Sequence, residues 1–367
     1  MIAQNSQPAW LPLLRKPYDD LLGSRTAWQL SLPGSPPIYV ERGGRGLNSS
    51  LYRVRVGNDL FACKLFVADE RRRGEREWFA LSALQAAGLK VAPKPITFAP
   101  EGPLPLPAIV VDWQEGVTLT QQPPLASDIA HLVALLADVH RVAPAPDMEF
   151  LPAYLQPPNY EAYLCEVQSQ FRQVQTWAAD GSWRSQRLPV WANEIPELLP
   201  LAEQVLAAAQ DAVGRAGTDG HCRAPHLIRA DGNLDGVLRL TGGNLVILDW
   251  TCSGRGDPAY DLAGLRWHPQ SLKVPAATWA AALETYPAPV GEPEFGERLA
   301  TYNRLVPAWW IARSMLHLLE GAGQIQGKMR LSRVPARFYR SVRHQLDMYL
   351  AGLGMIAAPE EDDEDGD

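Results

Sequence analysis

The sequence predicts an α+β protein of two lobes, with an N-terminal antiparallel sheet and one helix followed by a mainly helical C-terminal lobe. Three short β-type runs lie between Ile38 and Phe66 and are separated by turn residues. From Asp128 onward, apolar residues recur instead at the three- and four-residue spacing of helices. The tight turn at 241–244 joins two further apolar strands, so a small second sheet is expected among these helices.

The length of 367 residues exceeds that of a typical single domain but fits one two-lobed unit with an insertion. The first part is Pro-rich, and we expect it to be irregular apart from a short helix around Tyr18 to Trp28. We divide the chain into an N-terminal extension 1–37, an N-lobe 38–111, a C-lobe 112–356 with a helical insertion 158–216, and a disordered acidic tail 357–367.

Composition excludes several classes of protein. The segment 360–367 carries seven acidic residues, which equals the net charge of −7, so the rest of the chain is formally neutral. A nucleic-acid partner is therefore not expected, because it would require a basic face. The four cysteines are far apart, which argues against a zinc site or a disulfide framework. Without a run of about 18 apolar residues or a signal-peptide pattern, we expect a cytoplasmic protein that does not span a membrane.

A glycine-rich turn lies between the first two predicted strands, 38–40 and 51–56. Glycine lets backbone N–H groups approach an anion without an intervening side chain, so the segment 43–48 could fold over phosphates. A plain hairpin would use the same glycines.

Lys64 lies inside the third predicted strand, 60–66, where an unpaired lysine would be costly. The helix that follows offers Glu75 and Glu77. We choose Glu77 as the partner because it precedes Leu81 and Leu84 at helical spacing and so borders the buried face. The alternative is an edge-strand lysine beside a solvated acidic helix.

Further helices complete the prediction. The strand 108–111 continues into Asp112 and Trp113. Apolar residues within the insertion repeat at intervals of four, three, four and three and define one helix face: Tyr160, Leu164, Val167, Phe171 and Val174. The remaining predicted helices are 128–140, 297–320 and 335–350.

Two aspartates form the centre of the candidate site. Asp231 follows an apolar run in a short polar loop, where a carboxylate can accept a proton from an attacking hydroxyl. Asp249 ends the apolar strand 245–248, where a carboxylate could hold Mg²⁺ against nucleotide phosphates. The hairpin between them returns both acids to one edge of a small sheet.

These motifs resemble those of the aminoglycoside phosphotransferase and choline kinase family. That family has the pattern HGDxxxxN, then an apolar strand ending in Asp, then GDPxxDLA; this chain has Gly256-Asp257-Pro258-Ala259-Tyr260-Asp261-Leu262-Ala263. The resemblance implies a protein-kinase-like fold and transfer of the γ-phosphoryl group of ATP or GTP, with Mg²⁺, to a hydroxyl of a small molecule. It implies that Asp231 is the catalytic base, that Asp249 binds Mg²⁺ and that Asp261 braces the catalytic loop.

The same resemblance assigns nucleotide contacts to the N-lobe. Gly44 and Asn48 match the family's first hairpin, and Lys64 with Glu77 matches its phosphate-clamping pair. The segment containing Asp112 and Trp113 corresponds to the hinge that contacts adenine.

Two positions depart from the family pattern, because Arg229 stands where the family has His and Gly236 where it has a metal-binding Asn. Asn233 and Asp235 could supply a metal-binding oxygen instead, although ordinary turn chemistry would explain both residues. Arg229 could keep Asp231 ionised, or it could pair with another acid and occupy space that a metal needs. If the loop keeps the family's shape, Gly236→Asn should raise turnover or Mg²⁺ affinity.

These departures leave two hypotheses. The first is an ATP-dependent small-molecule kinase, and the alternative is a pseudokinase that binds nucleotide without turnover. A protein kinase is disfavoured, since no Ala-Pro-Glu segment follows Asp249. The sequence leaves open the acceptor, the choice between ATP and GTP and the oligomeric state.

Overall fold

A computed structural model describes most of the chain. The described residues are 7–19, 25–45, 49–101, 104, 106–143, 150–217, 226–287, 294–325 and 336–357. The predicted tail lies outside them except for residue 357. The chain forms two compact units, of which the first comprises Met1–Gln156, Ala224–Pro258 and Ala282–Pro287, and the second comprises Pro157–Arg223, Ala259–Ala281 and Ala288–Asp367. The lobe boundary predicted near residue 112 lies within the first unit.

The first unit contains a six-stranded antiparallel sheet, whose strand order is β1-β2-β3-β4-β6-β5. Its strands are β1 (Ala27–Leu30), β2 (Ile38–Arg45), β3 (Ser49–Val56), β4 (Asp59–Phe66), β5 (Pro95–Ala99) and β6 (Ala108–Asp112). The strands predicted around the glycine-rich turn are present as β2 and β3. β4 lies between β3 and β6, so Lys64 is in an interior strand rather than at an edge.

The N-terminal extension is part of this sheet, which corrects the sequence-based expectation. It forms a 3₁₀ turn (Leu11–Leu14), a short helix α1 (Arg15–Asp19) and β1, so Trp28 lies in a strand rather than in a helix. Trp28 and Leu30 are buried while their neighbours Ala27 and Gln29 are exposed, as the period-two alternation of a strand requires. The strand was missed because four residues give too short a pattern.

One helix packs on the sheet, as predicted. α2 (Arg73–Ala86) buries Trp78, Leu81 and Leu84 along one face, and Trp78 stacks on Phe98 of β5 with ring centroids 6.2 Å apart. This packing fixes the rotation of α2 about its axis. Glu77, next to Trp78, is therefore turned towards the sheet.

Short strands position the loops that follow in the first unit. The remaining elements are β7 (Gly116–Thr118), α3 (Ala126–Val139), β8 (His226–Ile228), β9 (Val237–Leu240), β10 (Leu245–Ile247) and β11 (Gly254–Gly256). β9 and β10 form the hairpin predicted around the turn 241–244, and β7 pairs with β9. β8 pairs with β11, which places the segment after β8 and the segment before β11 at the same end of this two-stranded sheet.

The second unit is helical. Its helices are α4 (Tyr160–Asp180), α5 (Val190–Asn193), α6 (Ile195–Ala216), α7 (Pro258–Arg266), the start of α8 (Ala276–Glu284), α9 (Phe295–Gly321) and α10 (Ala336–Gly352). The apolar face predicted for the insertion is that of α4, where all its members except the partly exposed Leu164 are buried. The side chain of Asn159 caps this helix by accepting the N–H of Ala162 at 2.8 Å. No helix among the described residues is long and apolar enough to cross a membrane.

We predict that Leu14→Ala destabilises the protein by about 2–5 kcal/mol, because Leu14 is fully buried in the apolar cluster beneath the sheet. Urea denaturation measures the change. Lys16→Ala, an exposed position in the adjoining helix, is the matched control and should stay within about 0.5 kcal/mol of the wild type. Equal effects from the two substitutions would show that the extension is not part of the core.

Candidate active site

Lys64 is held between two carboxylates. Its Nζ donates to Oε2 of Glu77 at 2.8 Å and to Oδ1 of Asp249 at 2.9 Å. The side chains of Lys64 and Glu77 are 17% and 7% exposed, whereas that of Asp249 is 37% exposed. The ion pair predicted between Lys64 and Glu77 is present, and the alternative of an edge-strand lysine beside a solvated acidic helix is excluded. The direct contact with Asp249 was not predicted.

Charge on this cluster is fixed by mutual pairing. Burial alone would lower the pKa of Lys64, but the two carboxylates outweigh it and raise that pKa. Burial would likewise raise the pKa of Asp249, yet Lys64, the hydroxyl of Thr251 and the guanidinium of Arg229 hold it well below its usual range. For Glu77, burial prevails over Lys64, and the negative charge of Asp249 raises the pKa further. Asp249 therefore stays ionised at neutral pH and attracts cations.

Unusual backbone conformations occur at this site. Among the described residues, three that are not glycine have φ in the left-handed region: Arg72 at 52°, Ala230 at 61° and Asp249 at 55°. Ala230 precedes Asp231, so two of the three adjoin the candidate catalytic groups. Such conformations cost about 1–3 kcal/mol each and are concentrated at functional sites. Both of these conformations therefore occur at the candidate site.

Thr251 is a member of the site that the sequence analysis missed. Its Oγ1 donates to Oδ1 of Asp249 at 2.8 Å and so helps to orient that carboxylate. A hydroxyl two residues after a strand-end aspartate was the available signal. It is a weak one, because threonine is common at such turns.

The loop after β8 is held by its own side chains. Asp231, which is partly exposed, accepts the N–H of Asn233 at 3.1 Å through Oδ1. The side-chain oxygen of Asn233 accepts the N–H of Asp235 at 2.8 Å and caps a short 3₁₀ turn (Leu234–Gly236). This is the turn chemistry named above as the alternative for Asn233.

Asp235 is exposed and tied to a neighbouring segment. Its carboxylate accepts a hydrogen bond from the hydroxyl of Thr120, just beyond β7. Each of the two tentative metal ligands, Asn233 and Asp235, thus has a protein partner. A metal-binding role for either of them stays a prediction.

Arg229 is buried beneath this loop, with 2% exposure. Its Nη1 and Nη2 each donate to the carbonyl oxygen of Asn233 at 3.0 Å, and its Nε lies 3.5 Å from the carbonyl oxygen of Asp249. A Cβ built on Gly236 would lie 2.1 Å from Nη2, well inside van der Waals contact. Arg229 already fills the space that a side chain at 236 would need, so the rise in turnover or Mg²⁺ affinity expected for Gly236→Asn requires Arg229 to move and stays a prediction.

The predicted hinge residues use their N–H groups internally. The N–H of Asp112 donates to the carbonyl of Lys94 at 3.0 Å, and that of Trp113 to the carbonyl of Leu60 at 3.1 Å. The carboxylate of Asp112 accepts hydrogen bonds from the N–H of Lys94 and the side chain of Gln114. A contact with adenine through these two N–H groups would require breaking those bonds.

Three further predicted residues are Gly44, Asn48 and Asp261. Gly44 is in β2 opposite Leu51, next to an irregularity in the register. Asn48 lies outside the described residues. Asp261 is buried in α7, 4% exposed, and belongs to the second unit. Its bracing role stays a prediction.

Solved structures of similar fold support the predicted protein-kinase-like architecture. A spectinomycin phosphotransferase in complex with ADP and spectinomycin has a TM-score of 0.59 and 13% identity, covering 86% of this chain and 93% of that chain. An aminoglycoside phosphotransferase from Alicyclobacillus acidocaldarius has a TM-score of 0.59 and 14% identity, covering 91% of this chain and 97% of that chain. A choline kinase from Streptococcus pneumoniae has a TM-score of 0.51 and 17% identity, covering 95% of this chain and 100% of that chain.

Sequence comparison identifies the family. The sequence matches none of the curated proteins with which it was compared. The model of the phosphotransferase enzyme family matches residues 40–295, a range that contains Lys64, Asp231, Asp249 and Asp261. The chain therefore belongs to the phosphotransferase enzyme family.

Proposed function

We propose that this protein transfers the γ-phosphoryl group of ATP, or of GTP, to a hydroxyl group of a small molecule. The observation that carries the proposal is the ion-paired Lys64, held by Glu77 and Asp249 from two other elements. A lysine paired with a helix glutamate is the arrangement that kinases use to clamp nucleotide phosphates. Family membership supports the same reaction class.

The donor set fits Mg²⁺. Asp249 is an ionised hard-oxygen ligand that is partly open to solvent. Among the described residues, no group of three or more His, Cys, Asp or Glu side chains could hold a metal. Mg²⁺ commonly binds through one or two carboxylates together with substrate phosphates, so a preformed cage is not required. When bound, Mg²⁺ would neutralise phosphate charge, with Asp249 as its ligand and Asn233 or Asp235 as further candidates.

Asp231 serves as the base in this proposal. Its carboxylate, oriented by the N–H of Asn233, takes the proton of the acceptor hydroxyl. The acceptor oxygen then bonds to the γ-phosphorus while the bond to the β–γ bridging oxygen breaks, and the nucleoside diphosphate leaves. The family resemblance assigns a bracing role to Asp261.

The remaining contacts follow the family resemblance. Gly44 and Asn48 would contact phosphates, and the segment of Asp112 and Trp113 would contact adenine. Because the N–H groups of Asp112 and Trp113 are in use, the proposed contact would join the adenine amino group to carbonyl oxygens of this segment. Cys63, Cys165 and Cys252 are free thiols, in agreement with a cytoplasmic setting.

Similar structures define the substrates to be tested. Their names include spectinomycin phosphotransferase, a phosphotransferase in complex with hygromycin B, choline kinase and ethanolamine kinase. We propose an acceptor among amino sugars, other sugars and amino alcohols. A turnover assay with Mg²⁺ and ATP or GTP across such a panel tests the function. Nucleotide binding without turnover on any member would favour the pseudokinase instead.

We predict that Lys64→Ala weakens nucleotide binding by about 1.5–3 kcal/mol, since one charge-assisted contact to phosphate is lost. Isothermal titration with a non-hydrolysable ATP analogue measures the change, and an unfolding curve confirms that the variant is folded. Lys90→Ala, which removes the same charge from an exposed position, is the control. Unchanged affinity in Lys64→Ala would make Lys64 a structural residue.

We predict that Asp249→Asn removes the increase in nucleotide affinity that Mg²⁺ produces, because the ionised metal ligand is replaced by a neutral amide. Titrations with Mg²⁺ and with EDTA separate this increase from metal-independent binding. Asp59→Asn, at an exposed position in β4, should keep the full increase. If Asp249→Asn also keeps it, the metal assignment fails.

We predict that Asp231→Asn lowers kcat by about 10²–10⁴-fold, because an amide cannot accept the proton. Nucleotide affinity should hardly change, since Asp231 is assigned to the acceptor side of the reaction. Steady-state kinetics and nucleotide titration together test this separation. A loss of affinity comparable to the loss of kcat would contradict the role of base.

A further inference from the structure

Arg229 links the two catalytic segments. Its guanidinium donates to the backbone oxygen of Asn233 in the Asp231 loop and approaches that of Asp249. A buried guanidinium is always charged, so its position is fixed by the groups that solvate it. Burial at 2% exposure leaves it little freedom to move. Arg229 therefore sets the spacing between the loop and the end of the hairpin.

Gly236 provides the space for this guanidinium. The φ of Gly236 lies outside the left-handed region, so its backbone does not require glycine. A Cβ there would be 2.1 Å from Nη2, 3.3 Å from Cζ of Arg229 and 3.3 Å from the carbonyl oxygen of Leu248. A larger residue at position 236 would collide with Arg229, and this steric conflict, not a positive φ, accounts for the glycine.

Glycine at position 236 also lacks the metal-binding side chain that the family has there. In kinases whose catalytic loop carries Asn at this position, that side chain holds a second Mg²⁺. Here the position has no side chain, and the oxygens of Asn233 and Asp235, which are candidates for the first ion, also accept hydrogen bonds from the N–H of Asp235 and the hydroxyl of Thr120. The fixed positive charge of Arg229 further disfavours a second cation beside Asp249.

We propose that Arg229 and Gly236 are a matched pair in which the guanidinium takes the space of a side chain at 236, positions the Asp231 loop against Asp249, and limits the site to one divalent ion per bound nucleotide. Arg229 is thus a positioning residue. The part of the proposal that concerns the ion rests on the proposed function, whereas the steric pairing does not.

Thermal unfolding tests the pairing without any ligand. Gly236→Ala should lower the Tm by about 2–8 °C, because overpacking a filled site is destabilising. Gly242→Ala, at a glycine with open space in the hairpin turn, is the matched control and should leave the Tm unchanged. Equal Tm values for the two alanine variants would overturn the steric argument.

A double-mutant cycle tests the coupling. Gly236→Asn should lower the Tm in the wild-type background and lower it much less in the Arg229→His background, since the smaller ring vacates the space. Additive Tm shifts would mean that the two positions are independent, and the proposal would fail. If Arg229→His does not fold, the alanine comparison and the ion count of the wild type still decide.

Counting the bound ions tests the proposed limit of one divalent ion per nucleotide. Electron paramagnetic resonance measures how many Mn²⁺ ions bind to the protein saturated with a non-hydrolysable ATP analogue. We expect one ion for the wild type and two for the folded double variant Arg229→His/Gly236→Asn. Two ions in the wild type, or one in a folded, nucleotide-bound double variant, would overturn the proposal. Failure to bind nucleotide at all would instead contradict the proposed function and leave the Tm cycle valid.

Discussion

The architecture of the first unit depends on keeping one buried ammonium group paired. Lys64 comes from an interior strand, Glu77 from the helix packed on the sheet, and Asp249 from the hairpin 185 residues further along the chain. Removing both carboxylates would leave an uncompensated charge in a poorly solvated place, which is far more costly than an unmade surface ion pair. The rotation of α2 and the position of the β9–β10 hairpin are thus coupled to the charge on Lys64. The same coupling keeps Asp249 ionised before any ligand arrives.

The strained backbone near the site is likewise held by contacts between segments that are distant in sequence. Ala230 and Asp249 both have left-handed φ values, which L-residues adopt only when their surroundings enforce them. Arg229 precedes Ala230 and approaches the carbonyl of Asp249, while the N–H of Leu248 donates to the carbonyl of Gly236 at 2.7 Å. Hydrogen-bonding contacts therefore connect the two backbone segments that contain the strained residues. A site built in this way is pre-organised, because little backbone entropy remains to be lost on binding.

The features that were predicted correctly from the sequence are those that depend on local patterns. The glycine-rich hairpin, the turn at 241–244 and the apolar face of α4 each depend on residues close in sequence, and the choice of Glu77 over Glu75 followed from helical periodicity alone. The contact between Lys64 and Asp249 could not be derived in this way, since it depends on how two distant elements pack. Nor could the fit of Arg229 against Gly236, which is a matter of side-chain volume in three dimensions. β1 was missed because its pairing with β2 is also long-range and its own pattern is short.

The added strand β1 has a consequence for what counts as the domain. The family match begins at residue 40, in the middle of β2. Yet β1 covers the outer edge of β2, and Trp10, Leu11 and Leu14 fill the cluster beneath the sheet. A fragment that starts where the family match starts would cut a strand in half, expose apolar side chains and leave backbone N–H and C=O groups open to pairing with other chains. The family match and the folded sheet therefore begin at different residues. A fragment that is to fold without exposing this edge has to include the earlier start, with β1 and the cluster residues before it.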